Sequence, residues 1–154
     1  MRTLRLLPLA LVVLGGLFAL SGCGSVSALT GQDSNRTLTM SGNTNWVLTS
    51  WTTSLDDKQE ILAPAPTLFI GYAGEISGQS GVNRYNGTAR IANTELNWGA
   101  GFALTRRAGP PELMMSENKY LNDLRSTRQV TVRGDKLIFT GDKPLRLEFA
   151  RASN

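Results

Sequence analysis

The most constraining stretch is the alternation between Val130 and Phe149. Val130 and Val132 alternate with polar residues, Leu137 and Phe139 continue the pattern, and Leu145, Leu147 and Phe149 close it. A period of two over this length makes strands with one buried face. Gly134-Asp135 suits a two-residue hairpin turn, and Gly141-Asp142-Lys143-Pro144 forms a second turn. Three antiparallel strands with one apolar face cannot stand alone. The rest of the chain must cover that face.

Upstream, the pattern supplies one helix and more strands. Pro110 and Pro111 suit a helix start. Leu113, Met114, Glu117, Tyr120, Leu121 and Leu124 follow a three-four spacing up to Arg125-Ser126. Before it, Trp46–Trp51, Thr67–Tyr72, Glu75–Gly78, Thr88–Ile91, Leu96–Trp98 and Gly101–Thr105 read as short strands. Trp46 and Leu48 share one face. Pro64 and Pro66 exclude a central strand between the first two. Gly78, Gly81 and Gly87 bracket a turn-rich segment. The expected fold is mainly β (α+β). It is a small antiparallel cracked barrel or sandwich of seven to nine strands, with one helix before the last three.

The amino terminus reads differently. Arg2 and Arg5 precede an apolar run from Leu6 to Leu20, and Ser21-Gly22-Cys23 follows. This is the layout of a secretory signal. Pro8, Gly15 and Gly16 interrupt a run already too short for a spanning helix, which needs about 20 apolar residues. Cys23 is the sole cysteine of the chain. Leu20-Ser21-Gly22-Cys23 resembles a bacterial lipobox, which implies cleavage between Gly22 and Cys23 and a diacylglycerol on the Cys23 thiol. An acylated Cys23 leaves no internal disulfide. The segments expected are a signal over residues 1–22, a lipidated cysteine and tether over 23–43, and a domain over 44–154. A flexible tether of that length reaches on the order of 25 Å. Gly24 rather than aspartate after the cysteine favours the outer membrane, facing the periplasm, within the cell envelope.

Composition removes several chemistries. The chain has no histidine, which excludes the Ser-His-Asp and Cys-His arrangements and the usual zinc sites. Loss of residues 1–22 takes away two arginines and no acid, so the net charge falls from +4 to +2. Arg106-Arg107 alone is too short for a nucleic-acid patch. Asp56-Asp57 and the pair Glu112/Glu117 are read as solvated charges, without calcium spacing. No metal or other cofactor is implied, and Met114-Met115 reads as one core and one surface methionine.

Gly78-Gln79-Ser80-Gly81-Val82-Asn83-Arg84-Tyr85-Asn86-Gly87 resembles the G-x-x-G-C-N-x-Y-x-G segment of the META/HslJ domain family. Trp46-Val47-Leu48 is similar to that family's opening strand, Leu104 to Pro111 to the segment before its helix, and Glu117, Tyr120, Leu121 and Leu124 to the helix itself. The family's frequent cysteine after the second glycine is Val82 here. The resemblance implies a barrel with one helix, a cell-envelope setting linked in relatives with heat shock, antibiotic tolerance, secretion or motility, and no established catalysis. Within the motif, Gly81 and Gly87 are expected at unusual backbone angles. Asn83 and Asn86 are expected to shape turns, and Tyr85 to plug the barrel end. Asn83, Arg84 and Tyr85 are the alternative candidates for a binding surface. Three functions compete: a non-enzymatic lipoprotein that binds another envelope protein, a carrier of a small hydrophobic ligand in a lipocalin-like barrel, and an inhibitor of a hydrolase.

Overall fold

In the computed structural model, the residues described are 44–54, 57–142 and 144–152. The signal, Gly22, Cys23 and the tether lie outside them, as does Asp56. The described residues form ten strands and one helix. The strands are β1 (Thr44–Ser54), β2 (Asp57–Lys58), β3 (Thr67–Ile70), β4 (Glu75–Gln79), β5 (Arg84–Ala92), β6 (Glu95–Trp98), β7 (Ala103–Leu104), β8 (Thr127–Arg133), β9 (Lys136–Gly141) and β10 (Arg146–Arg151). Helix α1 spans Pro111–Ser126, between β7 and β8.

Eight strands close a barrel in the order β10-β9-β8-β6-β5-β4-β3-β1, and β1 returns to β10. All these pairings are antiparallel. Two-residue strands β2 and β7 add to β1 and β5 outside this ring. The seam is narrow: β6 and β8 meet at one register pair, Glu95 opposite Gln129. A backbone bond from Val130 N to Thr94 O, 2.8 Å, supports it. Closure removes the exposed edges that an open sheet would present. The pairings and the core of the described residues all lie within the compact unit Ser34–Asn154.

Alternation explains which residues point inward. Leu68 and Ile70 of β3, Ile76 of β4, Tyr85 and Ala89 of β5, Leu96 of β6, and Leu147 and Phe149 of β10 are buried. β1 departs from strict alternation. Trp46, Leu48 and Trp51 are all buried, although 48 and 51 differ in parity. The register with β10 shifts between Leu48 and Ser50. The extra residue turns the second half of the strand so that Trp51 also faces the core.

The interior holds a continuous series of rings. Trp51 meets Tyr120 at 6.1 Å, Tyr120 meets Tyr85 at 6.1 Å, and Tyr85 meets Phe102 at 5.2 Å. Phe102 meets Trp98 at 5.4 Å, Trp98 meets Phe139 at 6.1 Å, and Phe139 meets Phe149 at 5.7 Å. Five of these six contacts are edge-on, the arrangement that ring quadrupoles favour. Leu137, Phe139, Leu147, Phe149 and Trp46, the side chains a carrier would use to line a cavity, belong to one packed cluster.

Helix α1 starts as its prolines predict, with Pro110 as cap and Pro111 at the first position. Glu112 in the first turn and Arg125 in the last complement the helix dipole. The helix buries Glu117, Tyr120, Leu121 and Leu124. Met115 is 66% exposed, as its pairing with the half-buried Met114 suggests. At its end Thr127 turns extended and its hydroxyl donates to Leu124 O at 2.6 Å. Trp98 Nε1 donates to Thr127 O and Oγ1, both at 3.2 Å. One residue thus ends the helix and opens β8.

Candidate functional site

The motif expected to form turns is a receptor for a carboxylate, and the carboxylate is Glu117. Ser80 to Asn83 forms the tight connection between β4 and β5, with Ser80 N bonded to Asn83 O at 2.8 Å. Gly81 sits at φ +130, backbone that glycine adopts without strain. The turn aims its donors at one point. Glu117 Oε2 accepts from Asn83 N at 2.7 Å, Val82 N at 3.1 Å and the Ser80 hydroxyl at 2.8 Å. Glu117 Oε1 accepts from Asn83 Nδ2 at 2.7 Å. The donors are neutral N–H and O–H groups. A concave set of backbone amides can hold an anion without a cation.

This corrects the reading of Glu117 as a solvated charge. Its side chain is 1% exposed, whereas Glu112 on the same helix is exposed. Burial pushes the Glu117 carboxyl up, but the bonds from Asn83, Ser80 and Val82 outweigh it and hold the group below its ordinary 4.5. A carboxyl depressed in the folded state contributes stability above its unfolded value. That stability is lost as pH falls through the folded value. The barrel should therefore lose stability below about pH 4.5, and Glu117→Gln should flatten that part of the profile. Urea titrations at a series of pH values measure it. An unchanged acid limb in the variant would mean that other carboxylates carry it. Glu148 is the main one to separate, because its bond and charge contact with Arg146 and its contact with Lys136 also lower it.

Asn83 is the hub of this network. Its Oδ1 accepts from Arg107 N at 2.5 Å and from the Thr105 hydroxyl at 2.8 Å. Its Nδ2 also donates to Arg107 O at 3.3 Å. One buried amide therefore ties the motif turn, the helix and the segment 105–107. The same segment holds Arg106 at φ +54, a conformation that costs a non-glycine residue about 1–2 kcal/mol.

The remaining motif residues separate. Tyr85 points inward, and its hydroxyl donates to Thr67 O at 2.8 Å and lies 3.0 Å from the Tyr120 hydroxyl. Burial, then the neighbouring Tyr120, pushes Tyr85 well above the ordinary tyrosine value. Burial does the same to Tyr120. Gly87 corrects a second expectation. It lies within β5 and takes no unusual angle; a side chain there would reach within 2.8 Å of the Phe102 ring. Asn86 is an exposed strand residue rather than a turn former. Arg84 is exposed at the start of β5. The structure therefore brings Gly81, Asn83 and Glu117 together, gives Tyr85 and Gly87 to packing, and leaves Arg84 to solvent.

An open groove of about 640 Å³ lies elsewhere, between the β3–β4 turn and the β5–β6 hairpin. Tyr72, 74% exposed, stands on that turn. Among the described residues no group of three acidic or cysteine ligands could hold a metal ion. None of their helices is long and apolar enough to cross a membrane.

The described residues are thus a closed eight-stranded barrel whose helix is latched by a carboxylate set in the β4–β5 turn. The sequence model of the META domain matches residues 36–154, and the chain belongs to that family. Its barrel is similar to the NMR structure of a protein from Burkholderia xenovorans, with a TM-score of 0.62 and 24% identity over 79% of this chain and 88% of that one. It is also similar to the crystal structure of a DUF4847 family protein from Bacteroides vulgatus, with a TM-score of 0.55 and 9% identity over 73% of this chain and 95% of that one. At these identities the likeness is one of fold. No curated protein matches the sequence.

Proposed function

We propose that this META-domain chain is a non-enzymatic cell-envelope lipoprotein, anchored through acylated Cys23, whose barrel binds another envelope component under stress or during secretion. The observation that carries the reading is the use made of its buried chemistry. The Glu117 carboxylate has its oxygens occupied by the motif turn. The Tyr85 and Tyr120 hydroxyls are held neutral by burial and bonded to each other. These groups are committed to holding the fold, which leaves surface recognition as the working part. The lipobox at Leu20-Ser21-Gly22-Cys23 and the tether behind it supply the anchor.

Labelling with a clickable fatty acid in cells, followed by fractionation, tests the anchor. The intact chain should take label and sediment with membranes, and Cys23→Ala should lose both. An unlabelled chain, or a Cys23→Ala variant that still sediments with membranes in full, would refute the lipoprotein reading. Crosslinking in intact cells then tests the partner, with Cys23→Ala as control. A single envelope protein captured only by the anchored chain is the expected result.

A further inference from the structure

We propose that the open groove beside the β3–β4 turn binds an acidic oligosaccharide, with Tyr72 against a sugar ring and Arg90 on its carboxylate. Thr88 and Arg90 share one face of β5. Across the hairpin Asn97 stands opposite Arg90, and Gly99 N donates to Thr88 O at 2.8 Å. Cross-strand neighbours point the same way, so Thr88, Arg90, Asn97 and Gly99 face outward together. Ala89 and Leu96, which alternate with them, are buried. These outward residues and Tyr72 all line the groove. Gly99 keeps the floor open, since a Cβ there would collide with the Thr88 hydroxyl. The wall is the turn over Gly71–Gly74. It is closed by Gly74 N on Gly71 O at 3.3 Å and by Ala73 N on the Glu75 carboxylate at 3.0 Å. Gly74 O in turn accepts from Ala89 N at 2.9 Å. This bonded turn presents Tyr72, 74% exposed. Glu75 is folded back onto the turn, so Arg90 is the one charge in the lining.

The lining selects the ligand. Tyr72, Thr88, Arg90 and Asn97 are exposed, and none of their side chains bonds or ion-pairs with another described residue. The main chain offers little. Gly71 N, Ala73 N, Gly74 N, Ala89 N and Gly99 N are all bonded already. A phosphate seeking a nest of amides, or a peptide adding as a strand, finds none of these donors free. A fatty chain would meet a hydroxyl, an amide and a guanidinium on the floor. What remains is one aromatic face, one cation, and neutral donors and acceptors. A sugar ring complements them, with C–H faces for the tyrosine and hydroxyl edges for Thr88 and Asn97. A carboxylate on it can take parallel hydrogen bonds from Arg90. The volume of about 640 Å³ falls within the range of small-molecule sites, and an open groove suits several linked sugars better than one. The proposal gives a chemistry to the envelope component of the reading above, and rests on that reading for where such a glycan is met.

The test titrates the full-length protein in detergent by calorimetry. The probes are trigalacturonate and trimannuronate, with neutral galactotriose and mannotriose of the same linkages. Saturable binding of at least one acidic trisaccharide is expected, about tenfold tighter than its neutral counterpart. Arg90→Gln should erase that preference by weakening only the acidic sugar. Tyr72→Ala should weaken acidic and neutral sugars alike, by about tenfold. Arg133→Gln removes the same charge from an exposed position outside the groove and should bind as the parent does. Absence of saturable binding to both acidic trisaccharides would overturn the proposal. So would equal losses in Arg90→Gln and Arg133→Gln, or parent affinity in both groove variants. Uridine monophosphate binding as tightly as the acidic trisaccharides would overturn it in favour of a nucleotide. Failure of the anchor test with success here would leave an unanchored glycan-binding barrel; the reverse would leave an anchored barrel with no sugar site.

Discussion

Replacing Glu117 with alanine should cost the barrel about 3–5 kcal/mol, the largest loss expected from any single polar side chain. Three donors converge on Oε2 and a fourth on Oε1. A buried donor left without an acceptor costs about 1–3 kcal/mol, and some of these will relax toward water. Against a domain stability of about 5–15 kcal/mol, the loss is a large share of the total. The midpoint of thermal unfolding should fall by about 10–20 °C. Glu117→Gln should cost less, about 2 kcal/mol, because one oxygen remains. Its amide nitrogen would then face Asn83 Nδ2, which cannot turn around without losing Arg107 N and the Thr105 hydroxyl. The order alanine, glutamine, parent in urea midpoints is the signature of a carboxylate held in a cradle. Equal losses for the two variants would show that the helix contact matters through its volume and that the charge is incidental.

Gly78→Ala is the second large effect. A methyl group on Gly78 would lie 2.0 Å from Thr67 O and 2.8 Å from the Tyr85 hydroxyl. The first neighbour is backbone of β3 and cannot rotate away. β3 and β4 must separate locally, at a cost of about 3 kcal/mol or more, the upper end of overpacking. The same separation would strain the bond from Tyr85 to Thr67 O. Tyr85→Phe in the same chain removes the hydroxyl contact and leaves the backbone clash. It should not restore stability to Gly78→Ala. Restoration would place the conflict at the hydroxyl and leave the strands where they are.

What could be read from the residues was what neighbours along the chain decide. The meander from Val130 to Phe149 and the helix after Pro110 carry their periods locally, and both stand close to where the pattern puts them. The barrel was legible for the same reason, since short alternating strands with one apolar face have few other ways to cover it. Arg84 to Gly87 was misread as turn because arginine, asparagine and glycine are poor strand formers. Its strand identity comes from pairing to β4 and β7. Trp51 was hidden by a bulge, which reverses parity without leaving a mark in composition. Glu117 was the deepest miss. Its burial depends on amides 34 and 35 residues away that turn toward it. A charged residue on the apolar stripe was the available signal, and it stands on the same face as Tyr120, Leu121 and Leu124.

The ring order has a temporal meaning. β1 pairs along one side with β3, which follows soon in the chain, and along the other with β10, which comes last. A chain emerging from its amino end can form the ladders from β1 to β6 and still hold one side of β1 unsatisfied. Trp46 pairs with Arg151 and Leu48 with Phe149, so the final six-residue strand is the one that shuts the ring. The barrel cannot close before β10 reaches β1. A machine that handles the chain in extended form has until the last strand to do so.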